Sequence, residues 1–482
     1  MTPRKPAFAP SFKPEPEVQH DSRVVTGFGG LILFSAYLRA VGLVDVLRAR
    51  TREVSIAGVF PLFSVLLLFV LFMAVGGRRQ AHLAYFLHDG LLARLSWLKR
   101  LPSAATLSRF FSACKAPLVA LVAEVSAYMV VGCARRLGVT GTITLDLDGT
   151  VVSTRGHQER ARKGYNPIRR GARSYRPLTV HLAELGQFLA VINRPGNAPD
   201  NASAAGLMRR VIRRLKAELP GVRIRVRQDS AFFDDKLLRM YEAEGVSYVV
   251  VARMYEDLAL VVKERRRWTR VRDGVDAFEF CWKLKSWGDA RDFAAYRIRL
   301  SEREIAERRG EQLDLFRPSD PEYRYMVLCH NFPAEEMPVA ELHGFYGGRG
   351  GQEKSLGELK SGFAFDVLPS QRYGGNGLWQ QLSVLAYNAT VGFAMEVVGD
   401  ATRRGTASVS KATRLFESVT ATTLRFLHLC VPGHLVNNSG RAVLHLPESR
   451  GRRQDHKRYA ARIAMIAGRR DADRSPGQLK VA

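Results

Sequence analysis

At Gly141 the sequence changes period, and no other feature constrains the fold as much. Thr142-Ile-Thr-Leu-Asp-Leu-Asp148 alternates apolar or β-branched residues with polar ones, the two-residue repeat of a strand. Further strands are expected at Leu178–Leu182 and Phe188–Ile192, then a basic helix over Ala204–Leu219. A strand over Arg223–Gln228, a helix over Asp234–Glu244 and an apolar strand over Ser247–Ala252 complete the run. Strands followed by alternating helix and strand point to an α/β core on a mixed sheet. Residues 255–330 carry shorter β-like stretches at Leu258–Lys263, Ala277–Leu284, Ala294–Leu300 and Arg324–His330, and read as a β-rich insertion. Helices return at about Glu353–Leu359 and Leu378–Val398.

Upstream, residues 24–137 are apolar with helical spacing. Ser103 is placed to cap a helix carrying Thr106, Ser108 and Arg109, which can be a DNA-groove reader or an ordinary surface helix. The uncharged stretch Ile56–Gly77 is about long enough to span a bilayer and is followed by Arg78 and Arg79. Pro61 interrupts it and no second comparable span occurs, so a buried central helix is the expectation and no membrane partner is implied. The whole chain divides into a flexible tail (1–22), a helical DNA-binding domain (23–137) and the first part of an α/β core (138–254). The β-rich insertion (255–335), a second core part with the Glu353 helix (336–400) and a basic C-terminal region (401–482) follow.

The charge balance names a class of partner. Lys and Arg total 73 against 46 Asp and Glu, a net charge of +27. A surface that positive attracts a polyanion, most often nucleic acid. Five scattered cysteines, none in a CxxC pair, suggest neither a zinc ribbon nor a disulfide framework and fit a reducing cytoplasm. The proline-rich first 22 residues hold no apolar run of signal-peptide length.

Against that basic background a few acids stand out. Asp146 and Asp148 lie two apart on one strand, so both face the same way. Asp229 ends the Arg223–Gln228 strand, and strand ends are where ligands gather in α/β sheets. Taken alone, Asp229 is equally well a turn or cap residue, and Asp146 or Asp148 somewhat less so. Gathered in one pocket they repel unless a cation neutralises them, and hard ions such as Mg²⁺ or Mn²⁺ take carboxylate oxygens. Two such ions can hold the attacking and leaving oxygens of a phosphodiester. Farther on, Tyr346, Arg349, Glu353 and Lys360 follow at intervals of three, four and seven. Glu353 and Lys360 then lie two helical turns apart on one face, and Arg349 can grip a phosphate with its planar fork. Four fixed residues at fixed spacing arise by chance with a probability on the order of 10⁻³ to 10⁻².

This segment resembles the YREK signature of insertion-sequence DDE transposases. Asp146-Leu-Asp148-Gly-Thr150, with Gly164-Tyr-Asn-Pro and Ser174-Tyr-Arg-Pro-Leu178, is similar to that family's first acidic motif, and Arg225-Val-Arg-Gln-Asp229-Ser-Ala-Phe to its second. The resemblance covers about Gly141 to Val398. It implies an RNase H-like core, here an α+β multidomain chain, with a β-rich insertion between the second Asp and the Glu. It implies Asp148, Asp229 and Glu353 as metal ligands for Mg²⁺ or Mn²⁺, with Asp146 competing with Asp148 as the first. Tyr346, Arg349 and Lys360 would contact transposon-end DNA. The implied activity is strand cleavage at terminal inverted repeats and transfer to target DNA, by a homodimer on DNA in a bacterial cytoplasm and its nucleoid.

Other readings compete. Leu145-Asp-Leu-Asp-Gly-Thr150 also matches the nucleophile motif of haloacid-dehalogenase-like phosphatases, with Asp146 attacking phosphorus. A non-catalytic basic DNA-binding protein is the third. Basic residues crowd 155–176, among them Arg169, Arg170 and Arg173, either as a solvated loop or as a DNA track beside the first acid. Trp268, Trp282 and Trp287 can stack a flipped base, although core packing is the commoner use of tryptophan.

Overall fold

The computed structural model describes residues 24–56, 58–307, 320–399, 420–439 and 441–473. The tail 1–22 and part of the region after 400 therefore lie outside the described residues. Nine strands form one sheet: β1 (Thr142–Gly149), β2 (Leu178–Leu182), β3 (Gln187–Ile192), β4 (Arg223–Gln228), β5 (Ser247–Val251), β6 (Thr269–Arg272), β7 (Val275–Trp282), β8 (Arg291–Arg299) and β9 (Tyr323–His330). Their order across the sheet is β6-β7-β8-β9-β5-β4-β1-β2-β3. β1, β4 and β5 run parallel, whereas β2 and β3 form an antiparallel meander on the other side of β1. The half β3-β2-β1-β4-β5 joins an antiparallel meander to parallel strands, and the mixed α/β architecture expected from the sequence is borne out.

The insertion extends this sheet. β9 pairs antiparallel with β5, from Leu328 opposite Val251 to His330 opposite Val249, and β8, β7 and β6 follow outward. Leu258–Lys263 is a helix rather than the expected strand, within Glu256–Glu264. The run Leu-Ala-Leu-Val-Val looks β-like, but Leu258 and Val262 stand one helical turn apart and both are buried, and Glu256 and Asp257 favour a first turn through the helix dipole.

The helices that matter to the site are α1 (Leu62–Ala74), α2 (Ala116–Arg136), α3 (Ala204–Glu218), α4 (Asp235–Ala243), α5 (Val339–Gly347), α6 (Gly350–Phe363) and α7 (Tyr373–Phe393). The uncharged stretch of the sequence forms α1, whose 13 residues rise only about 20 Å, short of a bilayer's roughly 30 Å. Its side chains from Ser64 to Ala74 are buried in a core shared with α7 and α6, where Phe69 meets Phe111 and Trp379 edge-on. α2 has the length and apolarity of a membrane span, yet lies against α7 and β3. Its Arg136 pairs with Glu396 through two bonds of 2.6 and 3.0 Å, and Tyr37 donates to the same carboxylate at 2.7 Å. The core that holds α1 thus draws on residues from Leu31 to Met129 and from Leu356 to Ile466, which anchors the Glu353 helix to the helical region. Ser103 caps Ala104–Ala113 as expected, accepting from the Thr106 amide.

Candidate active site

The parallel pairing of β1 with β4 puts Leu147 opposite Gln228, so the next residues, Asp148 and Asp229, emerge side by side at the carboxyl ends of the two strands. Asp229 also accepts from the Ala231 amide at 3.0 Å, which fixes its side chain at the start of a short turn. The third acid comes from α6. Between α5 and α6, Gly348 and Arg349 keep right-handed helical dihedrals, so Tyr346, Arg349, Glu353 and Lys360 follow one nearly continuous helical path despite four nearby glycines. The structure brings all four to the two strand ends.

At the centre sits Arg349, a cation between acids. It donates to Asp148 Oδ2 at 3.2 Å and to Glu353 Oε1 at 3.0 Å, and Tyr346 bonds to the same guanidinium. Burial pushes Asp148 up to about 6, with the Asp229 charge adding to the shift and Arg349 opposing it. Burial likewise raises Asp229. Lys360 has its pKa lowered by burial, with Asp366 and Asp148 partly restoring its charge, and it reaches the Val151 carbonyl at 3.5 Å. Glu353 is 63% exposed and among the described residues bonds to Arg349, whereas Asp148 is 16% exposed.

These donors fit a hard divalent ion. They are carboxylate oxygens with no thiolate among them, and two of them carry charge that burial disfavours and a cation would relieve. Among the described residues no three or more His, Cys, Asp and Glu side chains stand tightly enough to hold an ion as they are. One guanidinium separates Asp148 from Glu353, occupying the place between them.

Asp146 is set apart. It faces the same way as Asp148 but one row deeper, fully buried, with Arg227 Nε on Oδ1 at 2.6 Å and Nη2 on Oδ2 at 2.9 Å. Burial works to raise its pKa, but His181 beside it and the two Arg227 hydrogen bonds outweigh this and hold it below the usual carboxylate range. A carboxylate with no solvent exposure and both oxygens bonded to Arg227 is out of reach of a phosphate ester, which argues against the phosphatase reading. Sequence reasoning passed over Arg227, His181, Thr179, Gln352 and Ser355. The available signal was period two: Arg227 precedes Asp229 by two residues on a strand, so it shares that acid's face.

The basic segment 155–176 folds into a small sheet of Val152–Ser153, Arg162–Lys163 and Arg173–Tyr175 beside β1. Asn166 accepts from the amides of Ile168 and Arg169 to close its turn, leaving Arg169 and Arg170 exposed and Arg173 half-buried. Trp287 packs on Phe233 at 4.6 Å and Trp268 on Phe278 at 4.7 Å, while Trp282 is partly exposed.

The sequence matches the family model described as "Transposase DDE domain group 1" over residues 8–467. No curated protein matches it. Among solved structures, a piggyBac transposase synaptic complex with hairpin DNA aligns at 11% identity over 83% of this chain and 81% of its own, with a TM-score of 0.40.

Proposed function

The chain belongs to the DDE transposases of group 1, and from that premise we propose that Asp148, Asp229 and Glu353 hold the divalent ions for cutting and joining transposon ends. Membership makes the protein a DNA transposase and leaves the non-catalytic binder and the phosphatase without support. The ions are Mg²⁺ or Mn²⁺, and when bound they supply Lewis-acid stabilisation of charge developing on the phosphodiester oxygens. The carrying observation is that Asp148 and Glu353, 205 positions apart, bond to a single guanidinium, while Asp229 at the neighbouring strand end lies close enough to act electrostatically on both Asp148 and Arg349. Asp148 and Asp229 sit on rigid strand ends. Glu353 comes from a helix that is anchored in the helical core.

Arg349 fills the gap between acids as a stand-in cation and turns to a DNA phosphate on substrate binding, which frees both carboxylates. Tyr346 bonds to Arg349, and Lys360, two turns beyond Glu353, adds a second positive contact for the strand. Arg169, Arg170 and Arg173 carry the DNA backbone away from the acids, and the exposed Ser108 and Arg109 of the Ser103-capped helix supply a further contact. Cleavage and transfer are both in-line displacements at phosphorus, so one site serves both. Two ends must be joined, so the working form is a homodimer on terminal inverted repeats, acting at the bacterial nucleoid.

The test is a cleavage assay on DNA carrying the inverted repeats that flank the gene. Asp229→Ala and Glu353→Ala are each expected to lower Mg²⁺-dependent cleavage by on the order of 10³-fold or more, the scale of losing a principal transition-state contact. Undiminished cleavage in either defeats the ligand assignment.

A further inference from the structure

Strand register assembles a second row of polar side chains beneath the acids. Asp146 on β1 lies directly opposite His181 on β2 and directly opposite Arg227 on β4, so the three form a continuous line across one face of the sheet. All are buried: Asp146 is 0% exposed, His181 2% and Arg227 6%. The line does not end in itself. Arg227 Nη1 donates to the Phe345 carbonyl at 2.9 Å, near the end of α5. Its guanidinium also lies 5.2 Å from the centre of the Phe345 ring. At the other end His181 Nε2 meets Ser355 Oγ of α6 at 3.1 Å, while its Nδ1 faces Asp146 Oδ2 at 3.5 Å. The two outward contacts fall on either side of Glu353. Gly348 belongs to the same arrangement, since a β-carbon there would collide with Arg227 Nη1.

We infer that His181, Asp146 and Arg227 are a positioning unit whose task is to set where the Glu353 helix sits over the ends of β1 and β4. The inference rests on the assignment of Asp148 and Glu353 as metal ligands. A buried ion pair is poor value as a source of stability, because well-packed apolar side chains of equal volume do as well or better. What it adds is geometry: fixed donors and acceptors admit one register of helix on sheet. Glu353 needs that from outside, since its own side chain is largely solvent-exposed and, among the described residues, bonds to a residue of its own helical path. A second tie in the row above points the same way. Gln352 Nε2 donates to Thr179 Oγ1 at 3.0 Å, and Thr179 in turn donates to the Asp148 carbonyl at 3.2 Å.

Mn²⁺ binding to the full chain without DNA, followed by the loss of the free-ion EPR signal, tests this directly. Ser355→Ala cuts the His181 contact at a half-buried position and is expected to fold normally, bind Mn²⁺ about tenfold more weakly and leave metal-free DNA affinity unchanged. Ser355→Thr, which keeps the hydroxyl, is expected to restore Mn²⁺ binding. His181→Gln is expected to weaken it at least as much as Ser355→Ala. Asp148→Asn serves as the control and is expected to abolish binding at the site. Wild-type affinity in both Ser355→Ala and His181→Gln, with binding still lost in Asp148→Asn, overturns the positioning role alone. Wild-type affinity in Asp148→Asn overturns the ligand assignment beneath it.

Discussion

Asp146 and Asp148 are two residues apart on one strand, on one face of one sheet, and the protein treats them in opposite ways. The deeper acid has both oxygens taken by Arg227 and a third neighbour in His181, so its charge is compensated where it lies. The outer acid shares one arginine with Glu353 and feels Asp229 beside it, so burial prevails and its pKa rises to about 6. A single pleat separates a completed structural pair from a site short of positive charge. On the proposed assignment the outer acid is the metal ligand and the inner row positions the helix above it.

The largest test of that contrast makes one substitution twice. Asp146→Asn leaves Arg227 buried and uncompensated, and is expected to cost about 3–5 kcal/mol of stability in urea unfolding. Asp148→Asn should do the reverse. The folded pKa of Asp148, about 6, lies above its ordinary 3.8, so folding disfavours the ionised form at any pH above that range. Removing the charge is therefore expected to stabilise the fold above pH 6, by on the order of 1–3 kcal/mol, with the gain fading as pH falls toward 4. Destabilisation of equal size by both substitutions would erase the distinction between the two rows.

Arg349→Gln gives a smaller effect and sharpens the description of the outer row. If the guanidinium stands in for a cation, its loss is expected to tighten Mn²⁺ binding in the absence of DNA by on the order of tenfold. That is well below the ~4 kcal/mol Coulomb term for unit charges 4 Å apart at an effective dielectric of 20. The same variant is expected to bind end DNA more weakly. Weaker Mn²⁺ binding would mean instead that Arg349 helps to hold the acids for the ion. Smaller still, Arg169→Ala or Arg170→Ala is expected to leave Mn²⁺ binding unchanged and to lower the slope of log affinity against log salt by about 0.9 each, because both are exposed. An unchanged slope would remove them from the DNA track.

How much of this the sequence reveals follows from which interactions are periodic. The strands of the core could be read because alternation is local: Thr142–Asp148 and Arg223–Gln228 carry it in six or seven residues, and both acids at their ends were identifiable. Glu353 was identifiable only as one member of a spaced set, since no local pattern links it to β1. The stretch Leu258–Lys263 misled because apolar β-branched residues suit a strand and a short buried helix alike, and the tertiary contacts of Leu258, Ala259 and Val262 settled it. The inner row was invisible for another reason. His181, Asp146 and Arg227 come from three strands and meet only through register, which depends on pairing across 81 residues of sequence. Nor does a sequence show that Arg349, expected on DNA, lies between Asp148 and Glu353.

Convergence of Asp148, Asp229 and Glu353 on shared metal is the claim beneath all of this. The most direct measurement is anomalous diffraction from crystals of the full chain with Mn²⁺ and end DNA. A manganese peak with oxygens of Asp148, Asp229 and Glu353 at roughly 2.0–2.2 Å, as expected for a small octahedral cation, and with Asp146 still held by Arg227, is the predicted result. A peak bound to Asp146, or one that leaves Glu353 without any metal contact, would contradict it.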